Sequence, residues 1–296
     1  MTYAVSLRPG RSLWLPAVLL AALLAAIAGQ TGLPDFGPAP TLSSLPETVL
    51  VPARDFTYSP AGTFQQEGIP VDAPPVTVRN AAPLEIMTYQ VSLADYGRCV
   101  ADGACVAPQP RRRPSGNVPV TGVSFEDASA YAAWLSRATG QTWRLPSEAE
   151  WVQAAGSRFV DDRLGVETDI ANPAERWLAR YRQEAARAGE EIRDVLPLGG
   201  FGSNEFGVAD MAGSVWEWTS TCDGRTTLDA SGAVVSRLAS CGVRILEGRH
   251  RTGMSMFVRD ARGGACSFGA PPDNLGFRLV RERKDAWPFG LDRLFG

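Results

Sequence analysis

Apolar and polar positions along this chain follow two rhythms. A two-residue rhythm marks strands at Phe56-Thr-Tyr58, Gly62-Thr-Phe64 and Val76-Thr-Val78, then at Leu84-Glu-Ile-Met-Thr-Tyr-Gln-Val91. The last two are expected to pair with each other. A rhythm of three to four residues marks helices. Ser92 opens the first, with Asp95 three residues on. Ser124 opens the clearest, with Asp127 at the capping-box position. Phe125, Ala128, Tyr131, Ala132 and Leu135 share one face of it, and Gly140 ends it. Pro146 and Ser147 open a third, with Glu150 at the box position. Glu175 to Glu191, rich in Arg, Glu and Ala, reads as a further helix on a solvated face.

The first strands are preceded by a different kind of sequence. Arg8 and Arg11 form a basic start, Leu13 to Ile27 is apolar, and Ala26-Ile27-Ala28 is a small-x-small cleavage site. Residues 1–28 therefore read as a signal peptide, and the periplasm is the expected location. The apolar run is short of the about 20 residues that a membrane span needs. Only an uncleaved anchor would bring the chain to a membrane. Residues 29–52, rich in Pro, Gly, Ser and Thr, read as a linker. Residues 53–283 read as the globular domain and 284–296 as a C-terminal tail.

Composition narrows the classes. The chain is 45% hydrophobic and 21% charged, with 30 Gly and 22 Pro, which describes a loop-rich globular α/β (α+β) protein. A net charge of −3 argues against a nucleic-acid partner and leaves a small molecule or peptide. His250 is the only histidine, so a site of several imidazoles is excluded within this chain. Export permits disulfides. Cys99 and Cys105 flank a turn, Cys222 and Cys241 bracket a polar excursion, and each pair is expected to bond. Cys266 is left over.

One stretch, Asn204 to Ser220, concentrates Trp216, Trp218, Asp210, Glu217 and Gly213. In an extended segment the two indoles point one way and the Glu217 carboxylate the other. A bend at Gly213 would let Asp210, Glu217 and backbone carbonyls converge on a hard cation such as Ca²⁺. The alternative is a buried Trp strand with a salt-bridged Glu, and local sequence favours it.

Four motifs in order carry a resemblance. They are Val120-Thr-Gly-Val-Ser-Phe-Glu-Asp-Ala-Ser-Ala-Tyr131, Arg144-Leu-Pro-Ser-Glu-Ala-Glu-Trp151, Gly207-Val-Ala-Asp-Met-Ala-Gly-Ser-Val-Trp-Glu-Trp218 and Asn274-Leu-Gly-Phe-Arg278. Together they resemble the formylglycine-generating enzyme (sulfatase-modifying factor) family, from about Phe56 to Val280. The resemblance implies a single irregular α/β domain related to C-type lectins. It also implies a structural Ca²⁺ held by Asp210, Gly213, Val215 and Glu217, and tips that stretch towards the cation reading. A second family calcium site begins near Ala171-Asn172, but its later carboxylate has no match here.

The family's oxidases bind copper through two cysteines in the C-terminal third, and two thiolates are what Cu(I) requires. The matching stretch, Arg244 to Arg262, holds no Cys. Copper is therefore not expected. The stretch carries Glu247, His250, Arg251, Arg259, Asp260 and Arg262 instead. Glu247, His250, Arg251 and Arg259 are the expected catalytic cluster, with Arg262 and Trp218 on the substrate. His with Glu suits acid/base work near neutral pH, and Arg clamps anionic groups. The competing view is an ion-pair network tying loops together. The Glu247-Gly-Arg-His-Arg251 segment resembles that of periplasmic Cys-lacking members linked to pyoverdine (siderophore) maturation. That implies oxidation or tautomerisation of a peptide-derived metabolite. A non-catalytic lectin-like binding module is the alternative.

Overall fold

The computed structural model describes residues 45–112, 115–165, 173–188, 194–261 and 274–283, with Leu20. The chain divides into two units after Pro40, and the second, Thr41–Gly296, carries the sheets and helices of the globular domain. Apart from Leu20, the segment expected to be a signal peptide lies outside the described residues, as do the 284–296 tail, the Ala171-Asn172 position, Arg262 and Cys266.

The helices start at their sequence caps. Helix α1 is Leu93–Ala101, α2 is Phe125–Thr139, α3 is Glu148–Ala155 and α4 is Pro173–Ala188. The Ser92 hydroxyl accepts the Asp95 N–H at 2.9 Å. Ser124 with Asp127, and Ser147 with Glu150, form reciprocal capping boxes, satisfying N–H groups a helix start leaves orphaned. Gly140 closes α2 with φ +65°, a left-handed value that favours glycine. Buried residues of α2 include Ala128, Tyr131, Ala132, Trp134 and Leu135. Helix α4 leaves Trp177 and Tyr181 exposed, stacked with ring centroids 5.8 Å apart.

Twelve strands are described. They are β1 (Thr48–Val51), β2 (Arg54–Tyr58), β3 (Thr63–Gln66), β4 (Ile69–Val71), β5 (Val76–Ala81) and β6 (Leu84–Met87), then β7 (Trp143–Arg144), β8 (Trp216–Leu228), β9 (Val234–Glu247), β10 (Thr252–Ser255), β11 (Leu275–Gly276) and β12 (Val280–Arg281). One sheet has the order β1-β6-β12-β7. A second runs β10-β9-β8-β3-β4, with β11 added to β8, and β2 pairs β5 alone. The expected pairing of the Val76 and Leu84 segments does not occur. Strand β5 pairs β2, and β6 lies between β1 and β12. Pro83 sits in the short connection between β5 and β6, which carries none of the Asn-Gly or Asp-Gly chemistry of a tight hairpin. Strand β1 also falls inside the stretch expected to be linker, its Thr-Val-Leu-Val suited to a ladder with β6.

Two buried clusters result. One joins α1 and α2 to the start of β8 and the end of β9, around Tyr96, Tyr131, Trp218, Leu246 and Phe277. The other joins β1, β2 and β6 to α3, around Ile86, Trp151 and Met211. Cys99–Cys105 and Cys222–Cys241 are disulfides, as the sequence implied. Among the described residues, β9 from Val234 to Cys241 pairs only with β8, and at Gly242 the carbonyl accepts the Met256 N–H at 3.0 Å. That outer edge is exposed, with Val234, Val235 and Leu238 all open to solvent.

Candidate functional site

The Trp216-Glu217-Trp218 run is buried at all three positions, Glu217 at 0% exposure. A carboxylate that deep must be matched in charge and hydrogen bonds. Arg278, also at 0%, donates Nε to Glu217 Oε2 at 2.6 Å and Nη2 to Oε1 at 2.8 Å. Gln90 Nε2 donates to Oε1 at 2.8 Å and Trp151 Nε1 to Oε2 at 3.1 Å. Four N–H groups thus take up the roughly four lone-pair positions of a carboxylate.

Asp210 does sit at a bend, with φ +59°. Its carboxylate accepts the backbone N–H of Gly199 at 2.6 Å and of Phe201 at 2.8 Å, which closes the 199–201 turn. A hard cation needs oxygens facing it with their lone pairs free. Here both carboxylates face N–H donors, and a guanidinium stands against Glu217. The donor set at Asp210, Gly213, Val215 and Glu217 therefore does not fit calcium. The salt-bridged Glu that local sequence favoured is the arrangement found. Among the described residues, no group of three or more His, Cys, Asp or Glu is placed to hold a metal ion.

The C-terminal cluster is divided by the fold. Strand β9 ends at Glu247 and the chain turns at Gly248. A Cβ there would come 2.7 Å from the Trp216 ring, so only glycine lets the turn pass so close. The turn places His250 against Trp216, with ring centroids 5.1 Å apart, and its carbonyl accepts the Trp216 indole N–H at 2.9 Å. Arg251 swings the other way. Its Nε donates to Glu247 Oε1 at 2.7 Å and lies 3.2 Å from Glu148 Oε1. Its Nη1 donates to the Ser59 carbonyl at 2.6 Å, and Asp162 Oδ2 accepts its backbone N–H at 2.6 Å.

Electrostatics follow from this packing. Burial pushes the Glu247 carboxyl up to about 8. Arg251 opposes that rise and Glu148 adds to it. Burial raises Glu148 as well, again against Arg251. Burial disfavours the Arg251 charge, but Glu247 and Glu148 more than offset it and hold the guanidinium above its usual range. Tyr58 is pushed up to about 12 by burial and by Glu148.

Arg251 opens onto a cleft of about 510 Å³, whose wall also carries Ser59, Asp72, Asp161, Asp162 and Arg176. Glu247 is not on that wall. It stands behind Arg251 and holds it, so it is a positioning residue. Arg259 is engaged elsewhere. It grips Asp127 through Nε at 2.5 Å and Nη2 at 2.7 Å. Burial would raise the Asp127 carboxyl, yet the Arg259 and Ser124 bonds leave it below the usual range. Trp218 is fully buried, and its indole N–H donates to the Val123 carbonyl at 2.8 Å, so it cannot wall an open cleft. Met254 packs in the core at 1% exposure.

Sequence reasoning missed Ser59, Glu148, Asp161, Asp162 and Arg176. Glu148 reads only as the first residue of a capped helix, and Ser59 gives no signal. The Asp161-Asp162 pair is visible in the sequence, but nothing local ties it to Arg251.

Residues 33–283 match the sulfatase-modifying factor enzyme 1-like domain. The chain belongs to that family. It is 40% identical over 111 residues to the formylglycine-generating enzyme of Mycobacterium tuberculosis, covering 35% of this chain and 33% of that protein. It is 30% identical over 188 residues to the Streptomyces coelicolor formylglycine-generating enzyme, covering 58% of each. The chain thus spans between a third and three fifths of these curated relatives. Among solved structures, PvdO from Pseudomonas aeruginosa is 25% identical with a TM-score of 0.53, covering 82% of this chain and 97% of that one. The mixed, loop-rich α/β architecture is that of the family.

Proposed function

We propose that this family member is an exported maturation factor acting on a peptide-derived small molecule, such as a siderophore, in the Arg251 cleft. One observation carries the reading. A guanidinium with only 10% of its side chain exposed is clamped by Glu247 and Glu148 on the wall of a roughly 510 Å³ cleft. Small-molecule sites are concave, with a few fixed polar groups that orient the ligand. Likeness to PvdO across most of both chains supports the same reading. That Arg244 to Arg262 holds no Cys supports a reaction other than dithiolate copper oxidation.

The groups on the cleft wall supply orientation and proton transfer. Arg251 holds the substrate through its fork. Asp161 and Asp162 are carboxylates that take up and return a proton, as a tautomerisation needs. Glu247 and Glu148 keep Arg251 aimed.

Arg251→Lys is the test. It keeps a cation against Glu247 but loses the planar fork. In producing cells lacking the native copy, this variant should fold, reach the periplasmic fraction and leave the immature metabolite to accumulate. Normal maturation by Arg251→Lys would overturn the reading.

A binding module is the second reading, and one feature favours it. The only histidine packs against Trp216 and Glu247 stands behind Arg251, so neither expected acid/base group is on the cleft wall. Ligand binding without any change in the metabolite would select it.

A further inference from the structure

Three side-chain atoms on the walls of this same cleft are buried and have no hydrogen-bond partner: Ser59 Oγ, Arg251 Nη2 and Arg176 Nη1. Buried polar groups are nearly always paired, because an unpaired one has given up its bonds to water for nothing. Three on one cleft, from three separate elements, is a pattern and not a single flaw. Ser59 lies at the end of β2, Arg176 on α4 and Arg251 after β9. Ser59 is 3% exposed and the Arg251 side chain 10%.

Two of the three are neighbours by construction. The Ser59 carbonyl accepts Arg251 Nη1 at 2.6 Å, which brings the serine and the guanidinium together. Both are fixed from behind. Ser59 N–H donates to Asp161 Oδ2 at 2.9 Å, and Arg251 Nε to Glu247 Oε1 at 2.7 Å. Arg176 is fixed by Asp72, which takes its Nη2 at 2.8 Å and the Gly165 N–H at 3.0 Å. Each guanidinium therefore spends part of its fork on a protein carboxylate and keeps one nitrogen unused. The unused atoms are two cationic N–H donors and a hydroxyl that can also donate. What they lack is an anionic acceptor with at least two oxygens.

We infer that the cleft binds the carboxylate of an acidic, peptide-derived ligand through Arg251, Ser59 and Arg176. This rests on the maturation reading for its location only, since it concerns binding and not turnover. A carboxylate suits the forked geometry of Arg better than a single-atom acceptor does. Asp72, Asp161 and Asp162 on the same wall repel an anion that is not seated on the guanidiniums, which confines the carboxylate to one place.

The probes are acetyl-Ala-Ala, with a free carboxylate, its C-terminal amide, and inorganic phosphate, each added to the mature protein in calorimetric titration. Acetyl-Ala-Ala should bind and the amide should not. Arg176→Gln should weaken acetyl-Ala-Ala binding by about tenfold or more, the usual result of losing one charge-assisted hydrogen bond. Ser59→Ala should weaken it too, yet melt no lower than wild type without ligand, because it removes a hydroxyl that bonds to nothing. Equal binding of the amide, equal binding of phosphate, undiminished binding by both variants, or no binding of any probe would each overturn the inference. Metabolite maturation is read separately, so a chain that binds acetyl-Ala-Ala without processing anything loses the maturation reading and keeps this one.

Discussion

Arg278 closes on Glu217 through two parallel bonds of 2.6 and 2.8 Å, and neither side chain is exposed to solvent. The pair sits between the central strand β8 and the 274–281 segment, so it ties the last described strands to the core. Removing one member of a buried pair leaves the other charge unmatched and commonly costs about 3–5 kcal/mol. Glu217→Gln is therefore expected to lose about that much in urea unfolding. Adding Arg278→Met to it should recover part of the loss. A Glu217→Gln variant within about 1 kcal/mol of wild type would mean that the pair is not what holds this region.

Chelation is expected to leave the melting temperature unchanged. A ligand that binds only the native state stabilises it, so stripping a real calcium would lower the midpoint. Glu217 is already saturated by Arg278, Gln90 and Trp151, and Asp210 by two backbone N–H groups. A fall in melting temperature with EDTA that calcium alone restores would show that a cation displaces these donors.

Reduction should act where chelation does not. The Cys222–Cys241 bridge closes a separation of 19 residues across β8 and β9. Replacing both cysteines with serine is expected to cost about 2–4 kcal/mol. Mass spectrometry of the unreduced protein should find this pair and Cys99–Cys105. A bridge from Cys241 to Cys266 would contradict the assignment.

Glu247 predicts a pH dependence with a definite sign. Its folded carboxyl is raised from 4.5 to about 8 by burial. The folded state therefore holds a proton that the unfolded chain has released across that window. This contribution is complete below 4.5 and is lost as pH rises through about 8. Its slope reaches at most about 1.4 kcal/mol per pH unit. Glu148 is raised in the same direction, so wild type is best compared with Glu247→Gln. The difference in unfolding free energy between the two should change steadily across the window. Parallel curves would show that Arg251 keeps Glu247 ionised throughout.

Local signals carried the helices and far less of the sheet. Ser92, Ser124 and Ser147 mark three helix starts because a cap is a contact between residues three apart. Strand partners are set at long range. Strand β3 pairs in parallel with β8, joining Thr63 to Arg225, and no short window contains that information. The Glu217 site was legible in its simplest form, as a buried Trp strand with a salt-bridged Glu. The cation that the family resemblance implied drew the expectation away from it, because the motif does not reveal that Gln90, Trp151 and Arg278 converge on one carboxylate. The C-terminal cluster was legible as a group of charges but not as three separate places. Gly248 sends His250 and Arg251 in opposite directions, and Asp127 claims Arg259 from a helix 132 residues away.

The open edge of β9 bears on how this protein behaves when concentrated. A free strand edge is a template on which another chain can add its own backbone, and proteins usually blunt such edges with Lys, Pro or a bulge. Between Val234 and Cys241 there is no Pro and no Lys, Arg237 is the single charge, and the ladder is irregular near its start, where the register shifts between Ser236 and Val234. The Cys222–Cys241 bridge fastens one end of this segment to β8, along which the ladder continues. The same covalent splint that stiffens the fold therefore also preserves a sticky margin. Its three exposed side chains Val234, Val235 and Leu238 are separate from the residues that line the cleft.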